Sequence, residues 1–273
     1  MRGECSKGWG DDVDARGECE MDCVSVKMMF WNVAGWARGD GNDGVRSVED
    51  RDMRAKVISF YKPDVVCLVE TWLKGGEVAG FDGYHWFGHN RLSLSRKAVR
   101  GSGGVGILVK SSFCQNWQIE VVDVTVEDVL WVKFQHQKCG RVFFVAVCYV
   151  PPVGSSRDVD VSERLLLLEE QTQKFQAEGQ VVLCGDFNAR CGGLRDVDGG
   201  MVDRCNVDMV KNEQGEMLVE CMKSTGLCFV NGRQGPDEFT CISSKGRSVV
   251  VYCLVPCEEV AIVKNFIVRT MSM

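Results

Sequence analysis

The sequence predicts a single mixed α/β domain, because short apolar runs of strand length alternate with longer segments of helical spacing. The 273 residues, 45% of them hydrophobic, are enough to bury a large core. No Pro/Ser-rich linker or long block of charge divides residues 25–273, so we expect one domain there. Residues 1–24 are rich in Gly, Asp, Glu and Cys without periodicity, which predicts a poorly ordered leader.

The apolar runs predict strands at Val26–Trp31, Val65–Val69, Ile107–Lys110, Val129–Phe134, Arg141–Val150, Val181–Cys184, Leu227–Val230 and Ala261–Val268. Helices are predicted at 47–61, 158–177 and 213–225, where apolar residues such as Met53 and Val57 recur near helical spacing. Ser47 and Asn212 are the expected N-caps, and Gly226 is expected to end the last helix.

Four of the apolar runs end in polar side chains, at Asn32, Glu70, Tyr149 and the pair Asp186 and Asn188. Alternate side chains of a strand share one face, so Asp186 and Asn188 lie side by side. A carboxylate can bind a metal or take a proton from water, and an amide can donate to a phosphate oxygen. A single polar residue at the end of an apolar run is typical of a turn. Polar residues at the ends of four separate runs predict a shared pocket at one edge of the sheet core.

The ordered motifs around these residues resemble those of the endonuclease/exonuclease/phosphatase superfamily. They are Asn32, Glu70-Thr71-Trp72, Tyr149 and Gly185-Asp186-Phe187-Asn188. Two further segments, 148–152 and 246–252, resemble more specifically the apurinic-type endonuclease domains of non-LTR retrotransposons. The resemblance covers about residues 25 to 273 and implies a two-layered β-sandwich flanked by helices. It also implies hydrolysis of DNA phosphodiester bonds with Mg²⁺, or with Mn²⁺ in its place.

The resemblance implies a role for each of these side chains. Glu70 holds the Mg²⁺, and Asp186 orients or deprotonates the attacking water. The scissile phosphate is gripped by Asn32, Asn188 and Tyr149, with Thr240 beside it.

A basic segment that contains Arg91 and Arg96 follows the aromatic stretch 84–87. Two interpretations stay open for it: a solvated loop, or a substrate-binding loop that tracks phosphates at the rim of a nucleic-acid groove. The formal net charge of −6 does not favour a nucleic-acid partner. Metal ions and a local basic patch can offset it.

The C-terminal part departs from the retrotransposon pattern. Val251 stands where that pattern has an Asp that supports the catalytic His, and the three histidines, His85, His89 and His136, all lie in the first half. The expected Asp and the C-terminal His are therefore absent, as in a domain truncated at its C-terminal end. Loss of one such donor typically slows a reaction by about 10² to 10³.

Two other functions therefore remain open: a non-catalytic DNA- or partner-binding remnant of a decayed retroelement, and a phosphatase or phosphodiesterase of the same fold. The expected partners are DNA and a reverse transcriptase in a longer natural polypeptide, and the chain is expected to be monomeric. Many of the 15 cysteines sit in apolar runs, which predicts reduced thiols in an intracellular protein, cytoplasmic or nuclear. No apolar run is long enough for a membrane span or fits a signal peptide.

Overall fold

A computed structural model describes residues 25–36, 44–91, 101–155, 160–197, 204–235, 237–244 and 246–269. The strands are β1 Met28–Asn32, β2 Val65–Val69, β3 Tyr84–His89, β4 Val105–Lys110, β5 Trp117–Asp123, β6 Val129–His136, β7 Val142–Tyr149, β8 Gln180–Asp186, β9 Leu227–Phe229, β10 Cys241–Ser243, β11 Gly246–Ser248 and β12 Val251–Pro256. The helices are α1 Gly44–Tyr61, α2 Ser111–Cys114, α3 Val161–Gln176 and α4 Glu213–Thr225, and a 3₁₀ helix spans Cys257–Ile262.

The first sheet has four strands in the order β1-β2-β4-β3, and only β1 and β2 run parallel. Its central strand β2 is apolar throughout because both of its faces are covered. Cys67 and Val69 face the second sheet, whereas Val66 and Leu68 face α1 and pack near Ile58. Alternate side chains of β2 therefore pack in two different hydrophobic cores, one on each face of the sheet.

The second sheet has six strands in the order β5-β6-β7-β8-β12-β9. Its inner face meets the first sheet through residues such as Phe134 and Phe143, whose rings stack at 4.6 Å between centroids. Its outer face carries Trp131 and Phe144, which pack on Phe175 of α3. Helix, sheet, sheet and helix therefore form four layers, and the predicted two-layered β-sandwich flanked by helices is confirmed.

Side-chain caps fix the ends of the two helices on the second sheet. The Asp160 carboxylate accepts from Glu163 N at 3.1 Å at the start of α3. The predicted cap of α4 is confirmed, since Asn212 Oδ1 accepts from Gly215 N at 2.8 Å. Gly226 ends α4 with a left-handed φ of 67°, which a glycine adopts at no steric cost.

Several local predictions were wrong. Helix α1 begins at Gly44, so Ser47 lies inside it, and Met53 is 60% exposed while Ile58 faces the core. Strand β5, in which polar and charged residues interrupt the apolar ones, was not predicted. The segment 261–268 is not a strand, because the 3₁₀ helix and irregular chain occupy it. Residues 1–24 and Arg96 lie outside the described residues.

The described part of the chain contains neither a helix that could span a membrane nor a disulfide bond. None of its helices combines the length and the apolar character that crossing a bilayer requires. Each of its cysteines is a free thiol, and Cys67, Cys148 and Cys184 are buried as predicted.

Candidate functional site

The strand ends converge at one pole of the sandwich. In the first sheet β1 and β2 run parallel, with Asn32 opposite Val69, so Asn32 and Glu70 leave the same edge. In the second sheet β7 and β8 run parallel with Tyr149 opposite Asp186. The predicted convergence of polar side chains from separate strands is therefore observed.

Asn32 joins the two sheets at this pole. Its Nδ2 donates to Glu70 Oε1 at 3.0 Å and to Asp186 Oδ2 at 2.8 Å, while its Oδ1 accepts from Ala34 N at 3.0 Å. An amide nitrogen has only two hydrogens, and both are used here. Asn32 thus positions two carboxylates, and its predicted contact with the scissile phosphate stays a prediction.

Glu70 is held on its other side by Trp72, whose Nε1 donates to Oε2 at 3.2 Å. The ring of Trp72 lies against Gly35, where a Cβ would come within 2.4 Å of the indole. Gly35 has a φ of 101°, so a side chain at this position is excluded on two grounds. Each oxygen of Glu70 accepts one of these hydrogen bonds and keeps a further lone pair.

The backbone around the pocket is strained. Ala34, Glu70, Trp72 and Asn188 have φ angles between 44° and 54°, although none of them is glycine. Such conformations cost on the order of 1 kcal/mol or more each and collect at functional sites. Hydrogen bonds such as Gly35 N to Glu70 O, at 2.7 Å, hold this backbone in place.

Asp186 is buried, and its pKa is raised to about 6. Burial is the largest cause, and the negative charge of Glu70 acts in the same direction. Hydrogen bonds from Asn32 and from Asn188 N oppose the rise. The carboxyl therefore titrates close to neutral pH, as suits a group that exchanges protons with water.

This raised pKa predicts a pH dependence of stability in metal-free buffer. The contribution of Asp186 is complete below its unfolded pKa of about 3.9 and is lost as pH rises through about 6. We expect the wild type to lose about 3 kcal/mol of unfolding free energy from this group between pH 3 and pH 8. Urea titrations of the wild type and Asp186→Asn in EDTA measure this loss of unfolding free energy. The variant has no carboxyl group at this position, so its stability should not fall over this pH range for this reason.

Asp208 provides a matched control, because its pKa is shifted in the opposite direction. Like Asp186, it is largely shielded from solvent, and burial raises its pKa. Hydrogen bonds from Arg190 and Val249 N have the larger combined effect, so the pKa of Asp208 is lowered. Its contribution is present above the unfolded pKa and lost as pH falls through the lower folded pKa. Asp208→Asn should therefore lose stability at neutral pH. Identical pH profiles for the wild type and Asp186→Asn would contradict the assignment.

Tyr149 and Asn188 lie next to Asp186 in the second sheet. Tyr149 is 4% exposed and packs in the apolar cluster between the two sheets. Asn188 donates one amide hydrogen to Val150 O at 2.9 Å, and its N–H donates to Asp186 Oδ1 at 3.1 Å. Asn188 therefore keeps one amide hydrogen for a ligand.

Thr240, just before β10, is hydrogen-bonded to the start of β12, where Val251 lies. Thr240 Oγ1 accepts from Val250 N at 3.0 Å and from Val251 N at 3.1 Å, so the hydroxyl secures the backbone of the strand. Val251 pairs directly with Asp186 in the antiparallel register. The apolar side chain thus stands next to the buried carboxylate, at the position where the resemblance implies an acidic one.

The structure contradicts the substrate-binding role predicted for Arg91. Its side chain is only 6% exposed, and its Nε donates to Asp128 Oδ2 at 2.9 Å. Local sequence gave no sign of this pairing, because Asp128 lies 37 residues away in what reads as an ordinary turn. Arg91 is thus part of a buried ion pair and not of a phosphate-tracking loop.

The carboxylates at this pole suit Mg²⁺. Among the described residues, no group of three or more His, Cys, Asp or Glu side chains could hold a metal ion. Mg²⁺ does not require such a cage, since it commonly binds one or two carboxylates, several waters and a substrate phosphate. Glu70 and Asp186 provide two carboxylates on either side of one amide, so the donor set fits that cation.

A sandwich of two sheets with paired carboxylates at its strand ends is the arrangement of a class of hydrolases that act on phosphoesters. The chain belongs to the endonuclease/exonuclease/phosphatase family, whose model matches residues 29–234. No curated protein sequence matches the chain significantly.

Solved structures share the fold. The 3′ phosphatase NExo from Neisseria, bound to a product DNA hairpin, superposes with a TM-score of 0.58 at 15% identity, over 87% of this chain and 89% of that one. The human Nocturnin catalytic domain with bound sulfate gives 0.55 at 18% identity, over 85% and 83%. A mannosyl-6-phosphatase of Bacteroides thetaiotaomicron gives 0.53 at 14% identity, over 85% and 86%. At such identities the similarity shows the fold alone.

Proposed function

We propose that the chain hydrolyses phosphodiester bonds in DNA with Mg²⁺, or with Mn²⁺ in its place, as an endonuclease domain of the non-LTR retroelement type. The observation that carries the proposal is the Asn32 amide between Glu70 and Asp186, which brings carboxylates from two sheets into one pocket. The DNA hairpin bound to the Neisseria 3′ phosphatase supports a nucleic-acid substrate. The resemblance of residues 148–152 and 246–252 supports the retroelement context, with a reverse transcriptase in the same polypeptide.

Each residue has a part in the proposed reaction. Glu70 would hold the metal through the lone pairs that Asn32 and Trp72 leave free. When bound, Mg²⁺ neutralises negative charge on the phosphate and polarises it. Asp186, ionised above a pKa of about 6, orients the attacking water and accepts its proton. Tyr149 and the remaining amide hydrogen of Asn188 bind the phosphate oxygens.

A second candidate function is a DNA-binding remnant without catalysis, and the observation that favours it is Val251. A valine opposite Asp186 cannot orient a histidine, so the charge that develops on the phosphoryl oxygens lacks that support. We expect the chemical step to be slower by about 10² to 10³ than with the full set of groups. The two candidates differ in whether any turnover remains.

Nicking of supercoiled plasmid under single-turnover conditions tests the proposal. We expect slow nicking that requires Mg²⁺, is restored by Mn²⁺ and is lost in Glu70→Gln. Abasic duplex, 3′-phosphorylated DNA and phosphoinositides should be tested in parallel. Turnover confined to a phosphomonoester or to a phosphoinositide would replace the endonuclease with a phosphatase of the same fold. Plasmid binding without turnover on any substrate would favour the remnant.

A further inference from the structure

Asp128 is the centre of a buried charge cluster behind the site. Its side chain is 0% exposed and accepts from Arg91 Nε at 2.9 Å and from Gly104 N at 2.8 Å. Arg91 Nη2 also donates to it, and Arg164 Nη1 lies 3.8 Å from its carboxylate. Removing one member of such a cluster leaves the other charges without compensation in a poorly solvated place.

One chain of contacts leads from Asp128 to Glu70 in the first sheet. Asp128 Oδ1 holds Gly104 N, and the adjoining Gly103 O accepts from Trp72 N at 2.9 Å. Trp72 in turn donates its Nε1 to Glu70. Gly103 has a φ of 61°, and a Cβ there would come within 2.5 Å of Arg91 Nε, so the turn fits only around a glycine.

A second chain of contacts leads from Asp128 to Tyr149 in the second sheet. Tyr149 N donates to Asp128 O at 2.9 Å, and Arg164 Nη1 reaches Tyr149 O at 3.4 Å. Asp128 is therefore bonded to the elements that carry both the proposed metal ligand and the proposed phosphate ligand.

The charge of Arg91 is maintained in this buried cluster. Burial disfavours the charged guanidinium, but the hydrogen bonds and negative charge of Asp128 outweigh burial and raise the pKa of Arg91. Glu127 Oε2 adds a weaker contact at 3.6 Å. Arg91 thus stays cationic and binds Asp128 at two points, which a lysine cannot reproduce.

We infer that Asp128, held by Arg91, is a positioning residue that sets the placement of Tyr149 relative to Glu70 across the two sheets. The inference rests on the proposed function, because it assigns these two side chains to opposite sides of one phosphate. Neither Asp128 nor Arg91 contacts the phosphate in this arrangement. Their effect reaches the reaction through Tyr149 and Glu70.

Matched substitutions in two buried ion pairs test the inference. Arg91→Lys keeps the charge and loses the two-point contact, and Asp128→Asn removes the carboxylate. The control pair is Asp196 and Arg233, whose side chains are 2% and 5% exposed and joined at 2.7 Å. We expect Arg91→Lys to lower kcat by about 10² with KM within about threefold, since small misplacements are costly in an active site. Arg233→Lys should lose comparable stability without that fall in kcat.

A spectroscopic measurement keeps the inference separate from the proposed function. The chain has four tyrosines, so ¹⁹F spectra after 3-fluorotyrosine labelling are simple, and Tyr149→Phe assigns one resonance. We expect Arg91→Lys and any folded Asp128→Asn protein to move the Tyr149 resonance, and Asp196→Asn to leave it in place. A Tyr149 resonance that stays fixed in Arg91→Lys overturns the inference. If the wild type turns over no substrate, the proposed function fails, and a moving resonance still supports the link from Asp128 to Tyr149.

Discussion

Asp186→Ala is expected to lower the rate of Mg²⁺-dependent plasmid nicking by about 10² to 10⁴, the usual loss when a general base is removed. The physical reason is the position of the carboxylate at the end of β8, where it is buried beside Glu70 and titrates close to neutral pH. An apolar methyl group there can neither orient the water nor accept its proton. Single-turnover nicking measures the loss, because the slow wild-type step has to be compared at equal enzyme occupancy.

Asp123→Ala provides the control for this experiment. Asp123 is a partly buried carboxylate on the edge strand β5, where it accepts hydrogen bonds from Thr125 and Gln171. It should lose some stability and keep its nicking rate. Equal nicking by the wild type and Asp186→Ala would identify a contaminating nuclease and remove the case for the pocket.

The sequence predicted the parts of the site that follow from strand pattern. Apolar runs fixed the central strands to within a few residues, and side-chain alternation put polar termini at their ends. Asn32, Glu70, Tyr149 and Asp186 could therefore be named before their distances were known. Strand β5 was missed because an exposed edge strand lacks the continuous apolar run that marks a buried one.

The pairings between distant residues could not be predicted from local pattern. Arg91 looked like a surface cation because its segment is basic, but its partner Asp128 is brought to it only by the packing of the two sheets. The carboxylates of Glu70 and Asp186 likewise accept both amide hydrogens of Asn32, a pairing that was not predicted. Such choices depend on which groups the fold places within hydrogen-bond distance, and a single sequence does not contain those distances.

Asn32→Ala is expected to reduce nicking by about 10² to 10³, because one side chain orients both carboxylates. Without the amide, Glu70 and Asp186 lose their common donor and repel each other at short range. The hydrogen bond from Asn32 also lowers the pKa of Asp186, so its loss should raise that pKa further. In EDTA, the pH at which stability is lost should therefore shift above the wild-type value of about 6.

Asn231→Ala separates this effect from a general loss of packing. Asn231 is 2% exposed, donates to Val251 O at 3.1 Å and accepts from Cys253 N at 3.0 Å, so it also bridges two groups. Its partners are backbone atoms of β12, which do not titrate. The variant should be less stable at every pH and keep the wild-type midpoint of the pH profile. If the midpoint is also unchanged in Asn32→Ala, Asn32 does not control the ionisation of Asp186. The proposed electrostatic link between the two sheets through Asn32 would then be wrong.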